Sequence, residues 1–211
     1  MEWETLLRIV GDEPVFSSGL LLSGDSSERQ VRLQLTRWVK AGRLFQLRRG
    51  LYALAPPWRK VAPHPFLISN RLRRGSYVSL QSALAWHGAI PEHVPMVTAV
   101  GPGRPGSFET PLGDFLFHHL EPSLRFGYSL TEVAPQQSAF IASAAKALLD
   151  LVYLRPKGDS PEFLGELRLQ NREAFCDPPL DELAKRSGRP KLFRAARCVM
   201  ELLDENEGEL L

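Results

Sequence analysis

From Ser26 to Ala55 the chain reads SSERQVRLQLTRWVKAGRLFQLRRGLYALA, and this stretch constrains the fold more than any other. Ser27 and Gln30 have capping-box spacing, so a helix is expected to start there. At 100° per residue Val31, Leu35, Trp38 and Val39 share one narrow face, while Arg29, Arg32, Thr36, Arg37, Lys40 and Arg43 spread over the opposite arc. One side is suited to packing and the other to charge. Gly42 stands where a left-handed residue ends a helix. Beyond it Leu44 and Leu47 lead to a turn at Arg48, Arg49 and Gly50, and Leu51 to Leu54 return as a second strand. A helix followed directly by an arginine-tipped hairpin is the layout of a winged helix-turn-helix. In that motif the helix enters the major groove and the wing follows the backbone or the minor groove.

Charge points the same way. Twelve cations and no aspartate or glutamate lie between Arg29 and Pro91, although the whole chain carries only +2. The remainder must therefore be acidic, and the small net charge conceals a strong asymmetry. Ordinary surfaces mix both signs, so this segment predicts a polyanion-binding surface rather than a merely solvated face.

Upstream, Trp3, Leu6, Leu7, Ile9 and Val10 predict a short amphipathic helix ended by Gly11, with its apolar residues in the core. Val15 to Leu22 is expected as a second short helix capped by Ser17 or Ser18. Ser23 to Ser26 has turn composition. Pro56 and Pro57 stop the wing, and a domain boundary is placed near residues 56 to 64. The expected architecture is α+β, with a winged helix-turn-helix domain over residues 1–57 and a mixed α/β domain over 64–211. That second domain is expected to hold a small, mostly antiparallel sheet and C-terminal helices.

Within it, Pro65 to Arg74 predicts a helix, Tyr77-Val78 a brief strand, and Leu80 to His87 another helix. Val94 to Val100, Gly106 to Thr110, Phe115 to Leu120 and Tyr128 to Val133 have strand-and-turn texture. Ser138 to Leu154 is the strongest helical stretch, with Ser143 as a cap and Ala147, Leu148, Leu151 and Val152 as a buried stripe. Further helices are expected at Pro161 to Leu169, Pro179 to Ser187 and Lys191 to Leu203. An acidic tail of Glu201, Asp204, Glu205, Glu207 and Glu209 follows.

Chemical signatures are sparse. GPGRPG at 101–106 lacks the Lys-Ser or Lys-Thr pair of a phosphate loop and reads as a hairpin turn. His87 and His93 lack acidic or thiol company, and His118 and His119 point to opposite faces of a strand, so neither pair is expected to bind a metal. Asp150 falls within a helix, where a buried carboxylate needs a structural partner. No G-x-S-x-G, H-E-x-x-H or Walker lysine is present, so there are no specific grounds for an enzyme, and no cofactor or metal is expected. Cys176 and Cys198 have no metal-ligand spacing. Free thiols, the polar N-terminus and the lack of a ~18-residue apolar run predict a soluble, cytoplasmic protein without a membrane partner.

LTRWVKAGRLFQLRRGLYAL resembles the end of the winged-helix domain in the AbiEi family of antitoxins. SYVSLQSALAWHGAIPE, the VTAV strand, FETPLGDFLFHHL and IASAAKALLDLVYL resemble successive blocks of that family's second domain, so the likeness runs from about Phe16 to Leu154. It implies an N-terminal module that binds inverted repeats in the promoter of its own operon. It also implies a C-terminal domain that counteracts a cognate nucleotidyltransferase toxin, without direct binding being generally required. Ala144 and Ala145 depart from the family's Pro-Glu pair, while Lys146 to Asp150 keep its pattern. Lys146, Asp150 and the basic Arg71, Arg73 and Arg74 are the residues singled out in the second domain.

On this reading Arg29, Gln30, Arg32 and Leu33, near the helix start, are candidates for base-edge contacts. Ser26, Ser27, Thr36, Arg37 and Lys40 would position the helix on phosphates, with Arg43 on the same cationic arc. Arg48 and Arg49 form the wing contact. Three function classes remain open: a repressor that is also an antitoxin, a regulator whose second domain senses a ligand or dimerises, and an enzyme acting on nucleic acid.

Overall fold

The structure, a computed structural model, describes residues 1–22 and 27–208, with side chains up to 204. Among the described residues it is a mixed α+β protein with eight α-helices and two sheets. The turn expected at Ser23 to Ser26, including the candidate Ser26, lies outside the described residues, as do the side chains of Glu205, Glu207 and Glu209. Among the described residues no helix is long and apolar enough to cross a membrane.

The first helix, α1 (Trp3–Val10), buries Trp3, Leu6 and Val10 and stops at Gly11, whose φ is +57°. The expected helix over Val15 to Leu22 is not formed as such. Phe16–Ser17 is instead a two-residue strand, β1, and Ser18–Leu22 a 3-10 turn. The reason is tertiary: Phe16 pairs with Tyr52 and Ser17 with Leu51, so the start of this apolar run is used as the edge of a sheet.

Next comes α2 (Glu28–Lys40), with Ser27 as its N-cap. The Gln30 amide donates to Ser27 Oγ at 3.3 Å, which satisfies one of the free donors at the helix start. At the other end Gly42 has φ +68°, its amide donates to Val39 O, and the Arg43 amide donates to Trp38 O. This six-to-one and five-to-two pair of bonds is a Schellman stop, which needs a left-handed residue at Gly42. Strands β2 (Leu44–Arg48) and β3 (Leu51–Leu54) form the hairpin. Together with β1 they make a sheet in the order β1-β3-β2. Val31, Leu35 and Trp38 from α2 pack with Trp3, Leu6, Val10, Phe16, Leu44, Tyr52 and Leu54 into the first core.

Residues 55–64 contain turns but neither helix nor strand. They are nonetheless held: Gln137, itself buried, donates to Ala62 O at 3.0 Å and accepts from the His64 amide at 2.8 Å.

In the second half α3 (Pro65–Leu72), β4 (Tyr77–Val78) and α4 (Leu80–Trp86) precede strands β5 (Val97–Gly101), β6 (Gly106–Thr110), β7 (Gly113–His119), β8 (Tyr128–Ala134) and β9 (Gln137–Ala142). Then follow α5 (Ala144–Leu154), α6 (Pro161–Glu166), α7 (Leu180–Ser187) and α8 (Pro190–Gly208). The sheet has six strands in the order β6-β7-β5-β4-β9-β8. Its pairs β5-β7 and β4-β9 are parallel and the other three antiparallel, so it is larger and more mixed than expected.

Two expectations are corrected here. GPGRPG is not a hairpin turn, because β7 lies between β5 and β6 in the sheet and the loop has to cross over it. Gly101 in that motif is there for close approach: a Cβ would come within 2.8 Å of the Ser76 backbone. The helix expected from Ser138 begins only after its cap, Ser143, whose Oγ accepts from the Lys146 amide. Residues 137–142 are the strand β9, with Gln137, Ala139 and Ile141 buried and Ser138 and Phe140 exposed, which is the period of a half-buried strand.

A third core joins the halves. Leu47, Leu51 and Ala53 of the first sheet, with Val15 just before β1, pack with Ile68, Leu72, Ala99, Phe115 and Phe117 of the second half. The hairpin therefore has one face on α2 and another on α3 and the large sheet.

Candidate nucleic-acid interface

The outer arc of α2 carries the residues picked out by periodicity. Ser27, Arg29, Gln30, Arg32, Leu33, Thr36, Arg37 and Lys40 are all exposed, while Val31, Leu35 and Trp38 are buried and Val39 partly so. Leu33 is 53% exposed, unlike every leucine of the neighbouring core. This division follows from the sequence, because apolar side chains three and four residues apart must share the face that packs.

Two of these side chains have partners of their own. Arg32 is ion-paired with Glu28 one turn earlier, both largely exposed, an arrangement worth only a few tenths of a kcal/mol. Glu28 is the acidic neighbour just outside the carboxylate-free segment, and its spacing from Arg32 was readable in the sequence. Thr36 Oγ1 donates to Arg32 O at 2.9 Å, so it must rotate before it can donate to a phosphate.

Outside α2 the predicted cations are placed differently. Arg43 is half-buried, with its guanidinium carbon 5.2 Å from the Trp3 ring centre and 5.7 Å from that of Trp58. Trp3 in turn lies edge-on to Trp38 and Trp58 at 5.1 and 5.5 Å. Arg43 thus caps an indole cluster rather than extending the cationic arc, because cations are attracted to the faces of these rings.

The two hairpin arginines also part company. Arg49 is exposed at the turn. Arg48 is half-buried, donating to Arg49 O at 3.2 Å and to Arg71 O at 3.5 Å. A β-bulge between Gln46 and Arg48 accompanies the inward turn of Leu47, and the tip is tied back where the Ser18 amide donates to Gly50 O. The apolar Leu47 and Leu51 need cover, and α3 with the large sheet supplies it. The cationic surface is therefore complete on the helix and interrupted at Arg43 and Arg48.

Of the second-domain candidates, Arg71 and Arg74 are exposed, but Arg73 lies over Phe117 at 4.6 Å and donates to Arg104 O at 2.7 Å. Lys146 and Asp150 are 2% and 1% exposed and form an ion pair one turn apart in α5. Asp150 also accepts from Tyr77 Oη at 3.1 Å and Ser79 Oγ at 2.8 Å. Burial pushes the Asp150 carboxyl up and the Lys146 amine down, while their mutual attraction opposes both shifts. Burial and the adjacent Asp150 raise the Tyr77 phenol strongly. A buried carboxylate with three protein donors is a structural clamp between α5 and β4. The need for a partner was legible, but Tyr77 and Ser79 lie too far away in sequence for spacing to reveal them.

The second half also holds a cavity of about 600 Å³. Its lining includes Leu80, Val94, Met96, Leu116, Leu154 and His118. Burial lowers the pKa of His118, which favours the neutral ring.

Comparison of the chain with protein-family models and with curated proteins finds no match.

Proposed function

We propose that this protein is a DNA-binding repressor of winged helix-turn-helix type that also acts as an antitoxin. Its first domain (1–57) would bind inverted repeats in the promoter of its own operon, and its second (64–211) would counteract a nucleotidyltransferase toxin. The observation that carries the DNA-binding part is the outer arc of α2, where Arg29, Arg32, Arg37 and Lys40 are exposed together beside Gln30 and Leu33. Helix α2 is long enough to lie in a major groove, and its direct continuation into the two-stranded hairpin β2-β3, with β1 as a third strand, supports this reading.

In this reading Arg29, Gln30, Arg32 and Leu33 meet base edges, Ser27, Arg37 and Lys40 meet phosphates, and Arg49 is the wing contact. Arg48 holds the wing in place. The antitoxin part rests on the resemblance of the second-domain blocks. A competition assay between promoter duplex and scrambled duplex tests the first part. Arg32→Ala is expected to lose discrimination, by about 1–3 kcal/mol at the affected base pair. Arg49→Ala is expected to weaken both duplexes alike. Equal affinity of the unaltered protein for both duplexes would count against promoter recognition. Co-expression with a neighbouring nucleotidyltransferase, scoring growth with and without residues 64–211, tests the second part, which fails if growth is the same.

A second reading, a regulator whose second domain senses a small molecule, is favoured by one observation. Leu80, which lines the apolar cavity, has φ +58°, and backbone strain at a cavity wall is a feature of ligand sites.

A further inference from the structure

A groove of about 390 Å³ runs along the seam between the hairpin and the second half, apart from the outer arc of α2 and from the apolar cavity. Its basic lining is Arg48 from β2, Arg71 from the end of α3 and Arg74 just after it. Its apolar lining includes Phe140 and Leu130, which are 43% and 62% exposed. Among the described residues the lining contains no carboxylate. Three guanidinium groups without a counter-ion among the described residues repel one another and favour a multivalent anion, and guanidinium forks match phosphate oxygens in geometry.

Two of the lining residues also hold donors without a partner. Arg48 Nε and Asn70 Nδ2 are shielded from solvent and have no hydrogen-bond partner among the described residues. Buried donors in folded proteins find an acceptor, either ordered water or a bound group, and at the wall of this groove both donors are placed to serve either. An exposed phenylalanine ring beside the arginines adds an apolar flat surface. Tyr128 meets that ring edge-on at 5.9 Å.

We propose that this seam groove binds a nucleoside polyphosphate, with the phosphates on Arg48, Arg71 and Arg74 and the base against Phe140. Arg48 belongs to the hairpin and Arg71 and Arg74 to the second half. A bound polyphosphate would therefore fasten the wing to the second domain through the same arginine that already bonds to Arg71 O.

The test is calorimetric titration of the full chain with ATP and, separately, with inorganic triphosphate, both in chelator to exclude metal. ATP is expected to bind more tightly than triphosphate. Arg71→Ala with Arg74→Ala, both at exposed positions, is expected to weaken ATP by about tenfold or more, the effect of losing charged hydrogen bonds. Phe140→Ala is expected to weaken ATP by about 5- to 100-fold, as loss of base stacking does, and to leave triphosphate unchanged. The proposal is overturned if ATP gives no heat at millimolar concentration, or if the double arginine variant binds it unchanged. It is also overturned if Phe140→Ala is neutral while triphosphate binds as well as ATP. Promoter duplex titrated against the same variants provides a further arm. Loss of duplex affinity without any nucleotide binding overturns the proposal and assigns the arginines to a DNA track.

Discussion

The outer arc of α2 and the tip of the hairpin are both arginine-rich, yet their cations are in different surroundings. On α2 the guanidinium and ammonium groups of Arg29, Arg37 and Lys40 face solvent, because Val31, Leu35 and Trp38 take up the packing face. At and around the hairpin, Arg43 lies against indole rings and Arg48 against the carbonyl of Arg71, because Leu47 and Leu51 draw this segment into a second interface. A cation on a one-sided element faces outward, as Arg49 also does at the turn, whereas Arg43 and Arg48 are packed against the protein, Arg48 with its Nε still unpaired among the described residues. The pair in the middle of α5 is the extreme case of a held charge.

Removing a held cation should therefore cost stability, and removing a free one should cost only binding. The largest effect is expected from Lys146→Met, which leaves Asp150 buried without its counter-ion. Urea denaturation should show a loss of about 3–5 kcal/mol, as for other broken buried pairs. A loss below about 1 kcal/mol, the size of an exposed pair, would show that the clamp is not what holds α5 to β4.

Arg29→Ala combined with Arg37→Ala is the opposite case. Affinity for promoter duplex should fall by about 10- to 100-fold, while unfolding free energy stays within about 0.5 kcal/mol of the unaltered protein. Arg43→Ala should do the reverse, lowering stability by about 1 kcal/mol through lost indole contact and leaving DNA affinity unchanged. If Arg43→Ala instead abolished DNA binding without loss of stability, the division between held and free cations would be wrong.

The smallest effect concerns pH. His64 caps α3, accepting from the Phe66 amide at 3.2 Å through Nδ1, and burial lowers its pKa below 6.5. Protonation is thus disfavoured in the fold. The contribution of His64 is complete above pH 6.5 and is lost as pH falls through the lower folded-state value. Its size is that of a helix cap, about 1 kcal/mol or less. His64→Asn keeps a capping acceptor and should flatten this part of the stability curve. His118, also lowered by burial, would still contribute with the same sign.

What the sequence revealed was whatever local chemistry decides. Ser27 and Gly42 mark the ends of α2 because cap and stop act within one turn, and the buried stripe of α2 follows from helical period alone. Ser143 was legible as the cap of α5 for the same reason. The misreadings all involve partners distant in the chain. Phe16 and Ser17 became a strand because Tyr52 and Leu51 offered an edge, and residues 137–142 because β8 and β4 flank them. GPGRPG crosses β7 because β5 pairs with that strand in parallel. Among the candidate contacts, those on α2 were readable from period. The placement of Arg43 and Arg48 depended on Trp3, Trp58 and Arg71, and no spacing rule connects them.

The most direct test of the exposed cationic arc is the salt dependence of promoter binding. The unaltered protein is expected to lose about a thousandfold or more in affinity between 50 and 200 mM salt, as binders that neutralise six or more phosphates do. Arg37→Ala with Lys40→Ala should reduce the slope of log affinity against log salt by about 2. A slope that is flat in the unaltered protein, or identical in the variant, would contradict the account.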